Sequence, residues 1–96
     1  IFVELLGDVT QRLAPFGAQE AHEMMREVKG FPLLDGARGA APADIDSLAE
    51  ALSRLSQFAH ENRDRIESID INPFLVLPKG KGALAVDALI IPSSRP

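Results

Sequence analysis

The stretch IESIDINPFLVLP, residues 66–78, decides how the chain is interpreted. Its β-branched and aromatic residues are typical of a strand. Asp70 and Asn72 stand inside it, although strands disfavour both because their side chains compete for backbone hydrogen bonds. A second apolar stretch, ALAVDALII (83–91), follows a short loop and carries one charged residue, Asp87. The sequence therefore predicts a β-hairpin with three oxygen-bearing side chains among apolar ones.

The length of the loop decides whether Asn72 and Asp87 meet. In an antiparallel pair, a four-residue loop (78–81) places Asn72 directly opposite Asp87, with Cβ atoms roughly 4.5–5.5 Å apart. A five-residue loop (78–82) moves Asp87 opposite Pro73, so that its side chain lies on the wrong face. A shared site for the two side chains therefore needs the shorter loop or a bulge at one of its glycines.

Strand alternation predicts that Asp70 and Asn72 share one face, followed by Phe74 and Val76. In the shorter-loop register, Asp87 and Asn72 present a carboxylate and an amide oxygen to one point, a donor set that suits Mg²⁺. Asp70 is then placed to order a metal-bound water or to accept a hydrogen bond from a reacting group. The alternative interpretation is that Asp70 caps a turn, Asn72 precedes a strand-disrupting proline and Asp87 is exposed at an edge.

The rest of the chain predicts two more strands and two helices. IFVELL (1–6) and VTQRLAP (9–15) are typical of short strands joined by a Gly-Asp turn. Apolar residues at helical spacing predict helices over 18–29 and 44–62. A loop rich in glycine and proline, with one helical turn at 32–35, connects the helices.

These elements follow the order β-β-α-α-β-β, which describes an α/β (α+β) layered unit with a closing β-hairpin. Asp44 is the expected N-cap of the second helix. The apolar stripe of that helix should pack on the sheet. Both closing strands are apolar on both faces, so we expect the sheet to be covered on both sides.

Composition limits the function classes. Residues 1–96 suit one small domain, and a net charge of −4 with a pI near 5.0 argues against nucleic-acid or anionic-membrane binding. The absence of cysteine excludes disulfides and thiolate metal sites and fits a cytoplasmic protein. The chain starts in a strand pattern without an initiator Met, so we expect it to be part of a longer protein.

Three segments of the sequence resemble consecutive parts of one known protein family. SIDINPFLVLPKGKGALAVDALI (68–90) resembles the closing hairpin of the ATP-grasp subunit of nucleoside-diphosphate-forming acyl-CoA synthetases. That family includes acetate–CoA ligase (ADP-forming) and, more distantly, succinyl-CoA synthetase β. The segments at 1–15 and 31–59 resemble the preceding parts of the same domain, in the same order. The resemblance thus covers nearly the whole chain.

The resemblance implies that residues 1–96 form most of the C-terminal half of an ATP-grasp domain. By that likeness, Asn72 and Asp87 match ligands of Mg²⁺ that bridge to the phosphates of ATP or ADP. Asp70 matches an acidic position near the family's phosphorylated histidine, which lies on a CoA-binding domain or partner subunit. The family makes an acyl phosphate, passes the phosphoryl group to that histidine and then to ADP or GDP.

The nucleotide-gripping lysines and the adenine-binding linker of the family are expected upstream of Ile1, so the chain alone is expected to be inactive. A non-catalytic module for subunit docking on the same scaffold is the alternative, and a fragment without retained function is a third. The acyl substrate, the choice between ADP and GDP and a homo-oligomeric state stay open. So do the roles of Glu4, Arg12 and Arg38.

Overall fold

The fold is described from a computed structural model, which covers residues 8–39 and 41–94. The predicted strand over 1–6, with Glu4, lies outside these residues. The described elements, in chain order, are α1 (Ala18–Glu27), α2 (Phe31–Leu34), a 3₁₀ turn (Ala37–Gly39), α3 (Ile45–Glu61), β1 (Ile66–Ile71), β2 (Phe74–Val76), β3 (Ala83–Ala85) and β4 (Ala88–Pro92). In the part of the chain that is described, none of the helices is both long and apolar enough to span a bilayer.

The helix predictions are confirmed. The segments predicted at 18–29 and 44–62 form α1 and α3, and the single turn predicted at 32–35 forms α2. Asp44 is the N-cap of α3, where its side chain accepts a hydrogen bond from the Ser47 N–H at 3.1 Å. That bond satisfies one of the backbone donors that a helix start leaves without an intrahelical partner.

The strand predicted over 9–15 is wrong, because residues 8–17 contain no strand. Side-chain bonds to α1 hold this segment instead of a backbone ladder. The Arg12 guanidinium pairs with Glu20 and Glu27 on that helix. At the end of α1, the Asp8 carboxylate accepts the backbone N–H groups that follow the helix. An alternating polar pattern did not reveal these partners, which lie 8 to 22 residues away along the chain.

The core lies where α1 crosses α3. Ala21, Met25 and Ala49 are its buried members. Small residues at the crossing let the two helix backbones approach closely. On the next turns of α3, the buried Ser53 and Ser56 bind the backbone of Phe16 and so attach the segment before α1 to α3.

The closing strands form two antiparallel pairs, β1 with β4 and β2 with β3. Helix α3 packs against one face of them, as predicted from its apolar stripe: Ile71 and Phe74 line a groove with Leu52 and Leu55. The expectation that both faces are covered is not met within the described residues. Apolar side chains of the strands, Leu89 at 60% among them, stay exposed there.

Candidate metal and phosphate site on the closing hairpin

Four residues lie between the last hydrogen-bonded pair of the β2–β3 hairpin, Leu77 and Gly82. The Leu77 N–H donates to the Gly82 carbonyl at 3.0 Å and closes the loop over residues 78–81. The ladder that follows pairs Phe74 with Ala85 in the same register. The shorter-loop alternative of the sequence is therefore the observed one.

Asn72 and Asp87 lie directly opposite each other in this register. The Asn72 N–H donates to the Asp87 carbonyl at 3.0 Å, and the ladder continues with Ile71 opposite Ala88. Both side chains are exposed. The hairpin thus places Asn72 and Asp87, one from each arm, opposite each other, as the shorter-loop alternative predicted.

The hydrogen-bond ladder changes phase at the junction of β1 and β2. The Asn72 N–H donates to the Asp87 carbonyl. At the very next residue, the Pro73 carbonyl accepts the Val86 N–H at 3.1 Å. A regular antiparallel ladder places such bonds on alternate pairs. Pro73 has no N–H to donate, and the strand is interrupted there; the Asn72–Pro73 peptide is cis.

The phase change overturns one prediction, that Asp70, Asn72, Phe74 and Val76 share a face. Ile71 and Phe74 both line the groove against α3, although they are an odd number of residues apart. Side-chain alternation therefore does not run through the Asn72–Pro73 break, because the ladder that maintains it stops at the proline.

Asp70 projects from the face of β1 that points away from α3. Its neighbours Ile69 and Ile71 are half-buried and line grooves against α3, whereas Asp70 is exposed and lies opposite Leu89. Asn72 is the next position on the Asp70 face of the strand. The described arrangement thus keeps Asp70 one pleat from the Asn72–Asp87 pair, on the uncovered side of the hairpin.

Mg²⁺ is the metal that the resemblance implies for this pair. Across residues 8–39 and 41–94, no cluster of three or more His, Cys, Asp or Glu is arranged to hold a metal by itself. The hairpin offers two hard oxygen donors, with Asp70 nearby. Mg²⁺ commonly takes one or two protein oxygens and fills its other positions with water and phosphate. The residues present fit that partial coordination.

Arg12 is not an unpaired cation available to phosphate. Its guanidinium binds Glu27 and Glu20, and the same Glu27 accepts the Thr10 hydroxyl at 2.5 Å. Hydrogen bonds to Glu27 first and Glu20 second raise the pKa of Arg12 above its usual range. Arg12, whose role the sequence left open, therefore attaches residues 10–12 to α1.

Sequence reasoning missed the second partner of Asp44. Besides capping α3, its carboxylate accepts backbone N–H groups of Gly80 and Gly82 in the hairpin loop, at 3.1 and 2.8 Å. These bonds, with that of Gly82 the largest cause, lower the pKa of the Asp44 carboxyl. The available signal was the pair of loop glycines, Gly80 and Gly82, which adopt the left-handed φ of 86° and 87° that glycine allows.

The chain is similar in sequence to several ADP-forming CoA ligases. Acetate–CoA ligase [ADP-forming] II subunit beta of Pyrococcus furiosus is 45% identical over 91 residues, 95% of this chain and 39% of that protein. 4-Hydroxybutyrate–CoA ligase [ADP-forming] of Nitrosopumilus maritimus is 44% identical over 90 residues, 94% of this chain and 13% of that protein. The chain thus spans about two-fifths of the length of the first relative and less of the second.

A solved structure of the dinucleotide-forming acetyl-coenzyme A synthetase 1 of Ca. Korarchaeum cryptofilum aligns with a TM-score of 0.88 at 43% identity, over 97% of this chain and 42% of that one. That structure is a complex with coenzyme A and Mg-AMPPCP, in which the phosphohistidine segment points towards the nucleotide binding site. The sequence model of the ATP-grasp domain family matches residues 1–91 of this chain. The chain therefore belongs to the ATP-grasp domain family.

Proposed function

We propose that the chain is the C-terminal half of the ATP-grasp domain of an ADP-forming acyl-CoA ligase. Its hairpin binds Mg²⁺ and, through it, the nucleotide phosphates. The reaction is acyl-CoA + ADP + phosphate = carboxylic acid + CoA + ATP, through a phosphohistidine on a CoA-binding domain or partner subunit. The observation that carries the proposal is the facing pair Asn72 and Asp87 in a chain of this family.

Two features of similar proteins support the proposal. The relatives at 44–45% identity are named as ADP-forming CoA ligases. The aligned acetyl-coenzyme A synthetase was solved with Mg-AMPPCP and with its phosphohistidine segment directed at the nucleotide site. Since the residues matched by the family, 1–91, include the closing hairpin as far as Ile91, the same chemistry is proposed for this chain.

In the proposed site, Asn72 and Asp87 hold the cation from the two arms of the hairpin. Bound Mg²⁺ offsets negative charge on the phosphates during in-line transfer. Asp70, on the same uncovered face of β1, accepts a hydrogen bond from the approaching imidazole and so orients it. We assign Asp70 as the catalytic residue on this basis and Asn72 and Asp87 as metal ligands.

The uncovered face of the hairpin explains why we propose that the chain alone is inactive. Apolar residues on the strands beside the Asn72–Asp87 pair, Leu84 and Leu89 among them, are exposed, so water reaches this surface. Electrostatic stabilisation of a transferring phosphoryl group is strong only where water is excluded. The other half of the domain must supply that enclosure, together with the groups that grip the nucleotide.

The test is substitution in the full-length enzyme. Asn72→Ala and Asp87→Ala should each remove most of the Mg²⁺-dependent turnover, with unchanged circular dichroism. Glu67→Ala is the control, because Glu67 is an exposed acid on β1 that lies outside the pair. A double Asn72→Ala, Asp87→Ala enzyme that keeps its Mg²⁺-dependent turnover would refute the site.

The exposed apolar face also favours a second candidate, a non-catalytic module that docks another subunit through this sheet. The two candidates differ in nucleotide binding. The full-length protein binds Mg-ADP under the first proposal and does not under the second, which isothermal titration calorimetry distinguishes.

A further inference from the structure

The register of the closing hairpin needs a cause outside its strands. Apolar side chains occur on both faces, with Leu75 and Leu84 exposed on one and Phe74 turned towards α3 on the other. A slip of one residue would exchange one apolar set for another, so burial alone specifies the register weakly. The same slip would nevertheless move Asp87 away from Asn72 and separate the proposed metal ligands.

In such a hairpin the turn fixes the register. The segment 42–44, which leads into α3, clasps this turn with backbone bonds. The Asp44 N–H donates to the Leu77 carbonyl at 2.7 Å, and the Lys79 N–H donates to the Pro42 carbonyl at 2.9 Å. The loop is thereby attached to the rigid start of a 17-residue helix.

The Asp44 side chain completes the clasp. Its Oδ1 caps α3 on the Ser47 N–H, while its Oδ2 accepts both the Gly80 N–H and the Gly82 N–H. Only 8% of Asp44 is exposed, so these charge-assisted bonds compete little with water. Holding Gly80 and Gly82 by one oxygen fixes the separation of their amides. In a five-residue loop Gly82 would leave the end of the ladder and lose that placement.

We propose that Asp44 is a positioning residue for the Asn72–Asp87 pair: it fixes the loop at four residues and so keeps the two side chains opposite each other. Its importance for catalysis rests on the proposed function. Its control of the register does not, because the contacts that carry it involve only the loop and the start of α3.

Engineered disulfides measure the register directly in this chain, which contains no cysteine of its own. Leu75→Cys with Leu84→Cys joins residues that face each other in the observed register. Leu75→Cys with Ala85→Cys joins residues that would face each other after a slip of one. Disulfides form between Cα atoms roughly 4.4–6.8 Å apart, so oxidation by oxidised glutathione should close the first pair and leave the second mostly open.

Asp44→Ser then separates the two roles of the side chain, because a serine hydroxyl caps a helix but is too short to reach the loop. We expect the yield of the 75–84 disulfide to fall at least about threefold and the 75–85 disulfide to form. We also expect amide exchange at Gly82 to accelerate by about tenfold or more, since its N–H loses a charged acceptor. Asp46→Ser, which removes an exposed carboxylate from the same turn of α3, should change neither.

A folded Asp44→Ser chain with wild-type disulfide yields and wild-type exchange at Gly82 would overturn the proposal. If circular dichroism shows that this variant is unfolded, Asp44→Asn, which keeps the shape and loses one acceptor oxygen, decides by the same readouts. None of these measurements needs metal, nucleotide or turnover. A shifted register in a full-length enzyme that keeps its activity would support the positioning role and refute the proposed metal site, so the two failures are distinguishable.

Discussion

Asn72 and Asp87 face each other across the closing hairpin, and the backbone N–H of Asn72 donates to the carbonyl of Asp87 at 3.0 Å. This bond is the last of the β1 side of the ladder before the phase change at Pro73. The pair therefore sits at a break between two short sheets, where the polar side chains do not disturb a continuous ladder. That position accounts for Asn72 and Asp87 in an apolar hairpin, whereas Asp70 lies within the β1 ladder, opposite Leu89.

The charge of Asp87 is expected to matter more than its shape. In the full-length enzyme, Asp87→Asn keeps one side-chain oxygen at each of positions 72 and 87. It removes the negative charge that attracts Mg²⁺. The Mg²⁺ concentration for half-maximal turnover should rise at least about tenfold. Asp64→Asn, at an exposed acid in the turn after α3, is the charge-matched control and should leave that concentration unchanged. Equal Mg²⁺ dependence in the two variants would argue against coordination by Asp87.

The sequence predicted those parts of the fold that depend on local pattern. Helix α3 follows from its apolar spacing and from Asp44 as cap. The facing of Asn72 and Asp87 follows only for a four-residue loop, and the sequence left that length open. The change of face after Asn72 did not follow, because alternation is counted along the chain, whereas the ladder that maintains it stops at Pro73. Its outcome depends on which partner residues still donate and accept across the break.

Partners that are distant in sequence account for the remaining misses. The sequence pattern predicted that Arg12 lies in a strand. Its partners Glu20 and Glu27 lie beside it only once α1 has formed. The Asp44 carboxylate meets Gly80 and Gly82, which are 36 and 38 residues further along the chain. Nothing in the spacing of these residues indicates the contacts, since they arise only once α3 and the hairpin pack.

Ser56 is expected to stabilise the fold through the backbone of Phe16. Its Oγ is buried, accepts the Phe16 N–H at 3.1 Å and donates to the Ser53 carbonyl at 2.7 Å. Ser56→Ala leaves the part-buried Phe16 N–H without that acceptor, so the free energy of unfolding should fall by about 1–3 kcal/mol. Urea denaturation measures this. Ser68→Ala, at an exposed position on β1, should change it by less than about 0.5 kcal/mol.

The two adjacent methionines of α1 are expected to respond differently to truncation. Met25 is 5% exposed and belongs to the buried core, whereas Met24 is half-buried at the edge. Met25→Ala should lower the free energy of unfolding by about 2–5 kcal/mol because it removes packed volume where α1 crosses α3. Met24→Ala is the matched control and should cost clearly less. Equal losses would show that the crossing does not depend on Met25.

Asp44 is expected to make stability depend on pH in the acid range. Its folded pKa lies below the ordinary value of 3.8, mainly through the N–H groups of Gly82 and Ser47. A carboxyl with a lowered folded pKa contributes stability that is complete above the unfolded value. That contribution is lost as the pH falls through the folded pKa. The bonds to the hairpin loop should therefore weaken only in strongly acidic solution.

The measurement is urea unfolding of wild type and Asp44→Asn from about pH 7 down to about pH 3. The stability difference between them should be constant near neutral pH and should shrink below the ordinary value of 3.8, as the wild-type carboxyl becomes protonated. Glu27, whose pKa is lowered chiefly by its hydrogen bond to Arg12, acts in the same direction in both proteins and cancels in the difference. A difference in the free energy of unfolding between wild type and Asp44→Asn that stays constant down to the lowest pH would mean that the charge of Asp44 does not hold the loop. Hydrogen bonds that depend on an ionised carboxylate must weaken when it becomes protonated.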